Sequence, residues 1–176
     1  MKKIICGLLL VCSFTVAFSQ NDGKAKDRAD GKPKVKACKK IQANLISGTV
    51  NGVKPTALME AVKKKLPCFT GESEENDFAN CGGGVFYLND DIYFYTGRDY
   101  IEIREKFTGK TEPSLLGTYR DEVKSILGVA DKEIDGGRVL IYKKTYGALR
   151  VVFNMDDKCV EIGIHAVAPA DVQLCE

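Results

Sequence analysis

The chain has 176 residues, of which 28% are charged, 44% hydrophobic and none tryptophan, and its formal net charge is +2. That length allows one domain with a proper core or two small halves, and beyond the first twenty residues no stretch is apolar enough for a membrane-spanning helix. Charge is uneven: residues 20–40 hold eight Lys/Arg against three Asp/Glu, and residues 41–176 hold sixteen against twenty-one, so the acidic body excludes nucleic acid as the expected partner.

Lys2 and Lys3 precede an apolar run from Ile4 to Phe18, and Ala17-Phe18-Ser19 fits a small-x-small cleavage pattern. Residues 1–19 are therefore expected to be a secretory signal peptide, which places the protein in the periplasm or outside the cell. Cys12 follows Leu9-Leu10-Val11, where a lipidated cysteine would need a small residue, so lipid anchoring is not expected. Residues 20–40 are basic and almost free of apolar side chains. Such a segment cannot offset its ordering entropy by burial, so it is expected to be a disordered leader. It serves as a solvated spacer or, through residues 21–40, as an electrostatic contact with an anionic envelope surface.

A first half is expected over 41–108. Ile41 to Val50 suits a short strand or a helix start, and Asn51-Gly52 is a turn signal. Pro55 can open a helix over 55–66, with Leu58, Met59, Val62 and Leu66 at helical spacing, Lys63, Lys64 and Lys65 outside, and Pro67 as the stop. The polar loop "CFTGESEENDFANCGGG" leads into strands at Val85–Leu88, Ile92–Tyr95 and Tyr100–Phe107, so closely spaced that only antiparallel hairpins fit.

Residues 109–114 read as a linker, and a second half follows over 115–168. Thr118 is the expected N-cap of a helix, with Asp121 three residues on, a stripe of Val123, Ile126 and Leu127, and Gly128 as the stop. Strands are expected at Arg138–Lys143, Ala148–Phe153 and Cys159–His165, and 169–176 is a C-terminal tail. Both halves then read helix, loop, three-stranded meander. The expected fold is α+β, with the helices covering one face of antiparallel sheet.

Period-two alternation assigns the faces. In the first meander Phe86, Leu88, Ile92, Phe94, Ile101 and Ile103 share the aliphatic face, and Tyr87, Tyr93, Tyr95, Glu102 and Arg104 lie opposite. In the second, Val139, Ile141, Leu149, Val151, Phe153, Val160, Ile162 and Ile164 oppose Tyr142, Arg150, Val152, Glu161 and His165. A tyrosine-rich face with scattered charge suits contact with another protein, because tyrosine buries large area and keeps a polar tip.

Five cysteines follow the expected cleavage site, so at least one lacks an intramolecular partner. Cys68 and Cys81 flank one polar loop and are the first expected disulfide, with Cys159 and Cys175 the second. Zinc is disfavoured by the lack of C-x-x-C spacing and the single histidine. A Cys159–His165 nucleophile pair would be separated by about 20 Å along a strand. "ESEEND" lacks the order of a calcium loop, and the glycines of "CGGGVF" precede a strand and so cannot place a helix over phosphate. No enzymatic activity, metal or cofactor is expected.

The run Gly117-Thr118-x-x-x-x-Val123-x-x-x-Leu127-Gly128 resembles the start of the SmpA/OmlA module of BamE-type outer-membrane assembly lipoproteins. Here no methionine stands between Gly117 and Thr118, and Ala130 occupies the position of a usual proline. "LRVVFNMDDKCVEIGI" is similar to that module's closing hairpin. Two such units in tandem resemble the β-lactamase-inhibitor-protein (BLIP-like) fold. The resemblance implies helices on one side of a sheet, an aromatic concave side opposite, and a cysteine pair between helix and first strand, which fits Cys68 and Cys81. It also implies a module that binds proteins and does no chemistry, as an inhibitor or assembly factor. The alternatives are a structural surface protein tethered by its leader and a periplasmic immunity protein against a toxin.

Overall fold

The computed structural model describes residues 38–74 and 82–173. The expected signal peptide and all but the end of the leader lie outside them. The described part is α+β, with two helices and two sheets in one compact unit.

A small sheet opens the fold. β1 (Gln42–Asn44) pairs antiparallel with β2 (Thr49–Val50) and parallel with β7 (Lys110–Glu112). The expected 109–114 linker thus contains a strand. Its ladder is polar in sequence and becomes a strand because the buried Ala43 and Leu45 bring β1 alongside, with Leu45 N donating to Glu112 O at 2.7 Å.

Helix α1 (Met59–Lys65) is shorter than the 55–66 expected. Pro55 is buried in a turn closed by Ala57 N and Lys54 O, and Leu58 stays extended, so the helix begins four residues late. It ends as expected before Pro67, which has no N–H to continue it. Helix α2 (Arg120–Leu127) is capped by the backbone of Tyr119, not by Thr118. The Thr118 hydroxyl instead donates back to Leu115 O at 2.6 Å, which removes it from capping. Gly128 ends α2 at φ 86°, a conformation suited to glycine. Val123 faces the core, while Ile126 of the expected stripe is exposed.

The large sheet has eight antiparallel strands. In spatial order they are β3 (Gly71–Ser73), β4 (Gly84–Tyr87), β5 (Ile92–Tyr95), β6 (Tyr100–Arg104), β11 (Cys159–His165), β10 (Gly147–Phe153), β9 (Val139–Lys144) and β8 (Lys132–Ile134). Each meander therefore has four strands, not three. The added strands, β3 and β8, are short, polar edge strands without apolar alternation to mark them. The two meanders join where β6 pairs with β11.

The main core lies on the helix side. Val62 and Val123 from the helices meet Ile92, Phe94, Ile101, Ile103, Leu149, Val151, Ile162 and Ile164 from the sheet. On the other side Val139, Ile141 and Ala148 form a second, smaller cluster with Val172. The segment expected as a C-terminal tail thus packs, through Val172, against β9 and β10.

Two strands have the opposite phase to that expected. Val85 pairs with Phe94 and Tyr87 with Ile92, so Tyr87 faces the helices and Phe86 takes the outer side. Leu149 pairs with Tyr142 and Val151 with Leu140, which turns Tyr142 and Leu140 inward and Val139 and Ile141 outward. Directly paired residues share a face. Val160 leaves the alternation as the extra residue where the β10–β11 register shifts.

Candidate protein-binding face

The sheet face opposite the helices carries a row of rings. Phe86 lies 5.6 Å from Tyr95, Tyr93 is stacked 6.2 Å from Tyr95, Tyr95 is stacked 4.5 Å from Tyr100, and Tyr100 is stacked 4.9 Å from His165. The register places them: Phe86 pairs with Tyr93, Tyr95 with Tyr100, and Tyr100 with His165. Ring pairs at such spacings add stability beyond their area alone.

Beside the rings runs a chain of charges. Arg104 Nε bonds Glu102 Oε1 at 2.5 Å, Arg150 Nη2 bonds Glu102 Oε2 at 3.2 Å, and the same nitrogen bonds Glu161 Oε1 at 2.5 Å. Two carboxylates and two guanidinium groups balance. The Arg104 guanidinium also stands 4.3 Å over the Tyr93 ring, joining the two motifs. Glu102, Gly163 and Arg150 are aligned across β6, β11 and β10, and the absent side chain of Gly163 leaves room for its neighbours.

Five of the seven expected face residues, Tyr93, Tyr95, Glu102, Arg104 and Arg150, are gathered here. Tyr87 and Tyr142 are not: both are buried on the helix side, and the Tyr87 hydroxyl donates to Leu66 O. Phe86 and Tyr100 complete the face and were absent from the expected set. Tyr100 carries a signal, since it alternates with Glu102 and Arg104 along one strand. Phe86 carries none, because β4 is apolar at successive positions.

The face is graded in exposure. Its centre is closed: Tyr95, Tyr100, Glu102, Arg150 and His165 are each 7% exposed or less. Its outer side, with Phe86 of β4, Tyr93 of β5 and Arg104 of β6, is half-buried. Burial pushes the Tyr95 hydroxyl up to about 12 and Tyr100 further still. Burial, then the Arg150 charge, lowers His165 to about 3, so its imidazole is neutral at ordinary pH. Glu161 is raised by burial against the pull of Arg150. His165 Nε2 and Arg150 Nε are buried without a hydrogen-bond partner among the described residues.

The cysteines differ from expectation. Cys68 is bonded to Cys38, not to Cys81, which lies outside the described residues. The sequence favoured the nearer thiol, whereas β1 carries the end of the leader to the end of α1. Cys159 is a free, buried thiol, so it makes no bond to Cys175, itself outside the described residues. Burial pushes that thiol up to about 12. It lies in the helix-side core while His165 lies on the other face, so the two are not a nucleophile and base.

Among the described residues no three His, Cys, Asp or Glu side chains are grouped to hold a metal ion, and no helix is long and apolar enough to cross a membrane. No protein-family model, curated protein or solved structure matches the chain.

Proposed function

We propose that this chain is a non-enzymatic, exported protein-binding module of the bacterial cell envelope, built of two BLIP-like halves. Its partner is received on the open side of the aromatic face. The carrying observation is the half-buried trio of Phe86, Tyr93 and Arg104, backed by rings and ion pairs that are already packed. Aromatic residues and arginine are enriched at interfaces and dominate their energetics. A rigid, pre-packed support lowers the ordering cost of binding.

The tandem organisation is supported by element order. α1 precedes β3 to β6, α2 precedes β8 to β11, and the two four-stranded runs are ordered in mirror fashion about the β6–β11 pair. Export is supported by the Cys38–Cys68 disulfide, since such bonds persist in oxidising compartments. Inhibition, assembly and immunity all use the same recognition chemistry, and the captured protein distinguishes them.

The test is a crosslinking pull-down from native envelope, comparing the wild type with a Tyr93→Ala, Arg104→Ala double variant. Both side chains lie at the half-exposed edge, so the variant should keep its fold by circular dichroism. Each is expected to weaken capture by tenfold or more, the roughly 1–2 kcal/mol of an interface anchor. A folded variant that captures the same protein at the same yield overturns the reading.

A further inference from the structure

The ion pairs of the aromatic face alternate in sign. Glu161 and Glu102 share Arg150, and Glu102 in turn binds Arg104. The order is acid, base, acid, base, and the series ends on a cation. Arg150 and Glu102 in its middle are closed to solvent, whereas the Arg104 side chain at its end is 43% exposed. Arg104 reaches Glu102 through Nε, at 2.5 Å, and makes no second ion pair among the described residues. The two amino groups of its guanidinium take no part in that bond. They are held in place, because the guanidinium carbon lies 4.3 Å over the Tyr93 ring.

The neighbouring carboxylates are already engaged. Asp91 accepts the Tyr93 hydroxyl at 3.1 Å and Lys106 N at 3.0 Å. Both Glu102 oxygens accept from guanidinium groups. On the other side of Tyr93 lies an apolar patch. The Phe86 ring is 5.9 Å from the Tyr93 ring. A Cβ on Gly71 would stand 3.7 Å from Phe86 Cδ2 and 3.9 Å from Leu88 Cδ1, so these two side chains converge over the bare backbone of β3. Leu88 is 55% exposed. The surface therefore presents an apolar patch, the Tyr93 ring and then a cationic fork.

We propose that the protein captured on this face presents an acidic side chain beside an apolar one: the carboxylate takes the Arg104 fork, and the apolar group seats on Phe86 and Leu88. The proposal rests on the protein-binding reading and names what that partner must carry. A carboxylate continues the alternation of charge, and Arg104 then bridges two acids, as Arg150 already does. The planar guanidinium matches a carboxylate in two parallel bonds. Its stacking on Tyr93 and its bond to Glu102 hold it in one orientation, which lowers the ordering cost of capture. A phosphate dianion is a poorer match, because it would meet a single fork with the charges of Glu102 and Asp91 close by.

The experiment follows the amide resonances of the isotope-labelled protein, and that of Arg104 Nε, as acetyl-Phe-Gly-Glu-amide is added. The Glu side chain is that peptide's one carboxylate, and its Phe and Glu fall on one face of an extended chain, about 7 Å apart. Saturable shifts are expected at Phe86, Leu88, Tyr93 and Arg104. Acetyl-Phe-Gly-Gln-amide and acetyl-Ala-Gly-Glu-amide should each bind about tenfold more weakly, through loss of the charged bonds or of the buried ring. Arg104→Lys keeps the charge without the fork and should bring the Glu and Gln peptides within about threefold of each other. Leu88→Gln leaves the ion pairs in place and should weaken both Phe peptides alike. Equal binding of the Glu and Gln peptides to the wild type, or no binding of either, overturns the proposal. So does an acid preference that survives Arg104→Lys, or inorganic phosphate that moves Arg104 Nε further than acetate does at equal concentration. The two readings fail separately: capture that is lost in the Tyr93→Ala, Arg104→Ala variant, with no acid preference among the peptides, leaves protein binding standing and removes this proposal.

Discussion

At Gly163 a side chain would stand 2.6 Å from His165 Nε2 and 2.9 Å from Arg150 Nε. The bare backbone there lets an imidazole and a guanidinium lie over the sheet, where Arg150 reaches both Glu102 and Glu161. His165 is then enclosed by the Tyr100 ring and the Arg150 charge, and burial, with that charge, lowers it to about 3. The folded protein keeps the imidazole neutral, while the unfolded chain takes up a proton below about 6.5. This contribution to stability is complete above 6.5 and is lost as the pH falls from 6.5 toward 3. Between pH 6.5 and 4.5 it should cost the wild type about 2–3 kcal/mol. His165→Phe keeps the stack and removes the titrating group. Urea unfolding at the two pH values should show the variant losing less stability by that amount. Equal losses would mean that the imidazole is not held neutral. The raised Glu161 works in the opposite direction, and it is present in both proteins.

Element by element, legibility followed contrast. β5 and β11 have the expected boundaries, because turns flank both and the tyrosines of β5 and Glu161 and His165 of β11 alternate with apolar residues. β4 and β9 lie within one residue of the expected bounds, but with the opposite phase. β9 reads Val-Leu-Ile-Tyr, apolar at every position, because both its faces are covered: the helix-side core on one, Val172 on the other. A one-residue phase error then transfers every side chain to the other face. Helix starts were overcalled where a proline or a threonine looked like an opening signal but served a turn. Of the candidate site, the strand with Glu102 and Arg104 was readable, and the inward turn of Tyr87 was not. A pair of substitutions tests that phase. The Tyr87 hydroxyl satisfies a carbonyl at the end of α1, so Tyr87→Phe should cost about 1–2 kcal/mol in chemical denaturation. Tyr93→Phe loses only a half-exposed bond to Asp91 and should cost less than about 0.5 kcal/mol. Similar small costs for both would contradict the inward phase of β4.

On the scale of the molecule, closure depends on contacts distant in sequence. β1 pairs with β7 across a separation that includes α1 and the whole first meander, and β6 meets β11 across the second helix. Such pairings are rewarded only after a large loss of chain entropy. The Cys38–Cys68 bond, at a sequence separation of 30, restrains the first of these by holding the chain just before β1 against the end of α1. In the chain-entropy account, a loop of that size destabilises the unfolded state by about 3.5 kcal/mol. Cys38→Ser, Cys68→Ser should therefore be less stable by about that free energy, with a somewhat steeper denaturant slope because the unfolded chain without the bond is more expanded. A loss below about 1 kcal/mol would mean that β1 is held without the bond. Non-reducing peptide mapping of the wild type supplies the independent control: it should recover Cys38 linked to Cys68. A Cys68–Cys81 link would return the pairing to the loop that the sequence favours, and would free the leader from α1. The position of that single covalent tie therefore decides whether the α1 end anchors the start of the small sheet.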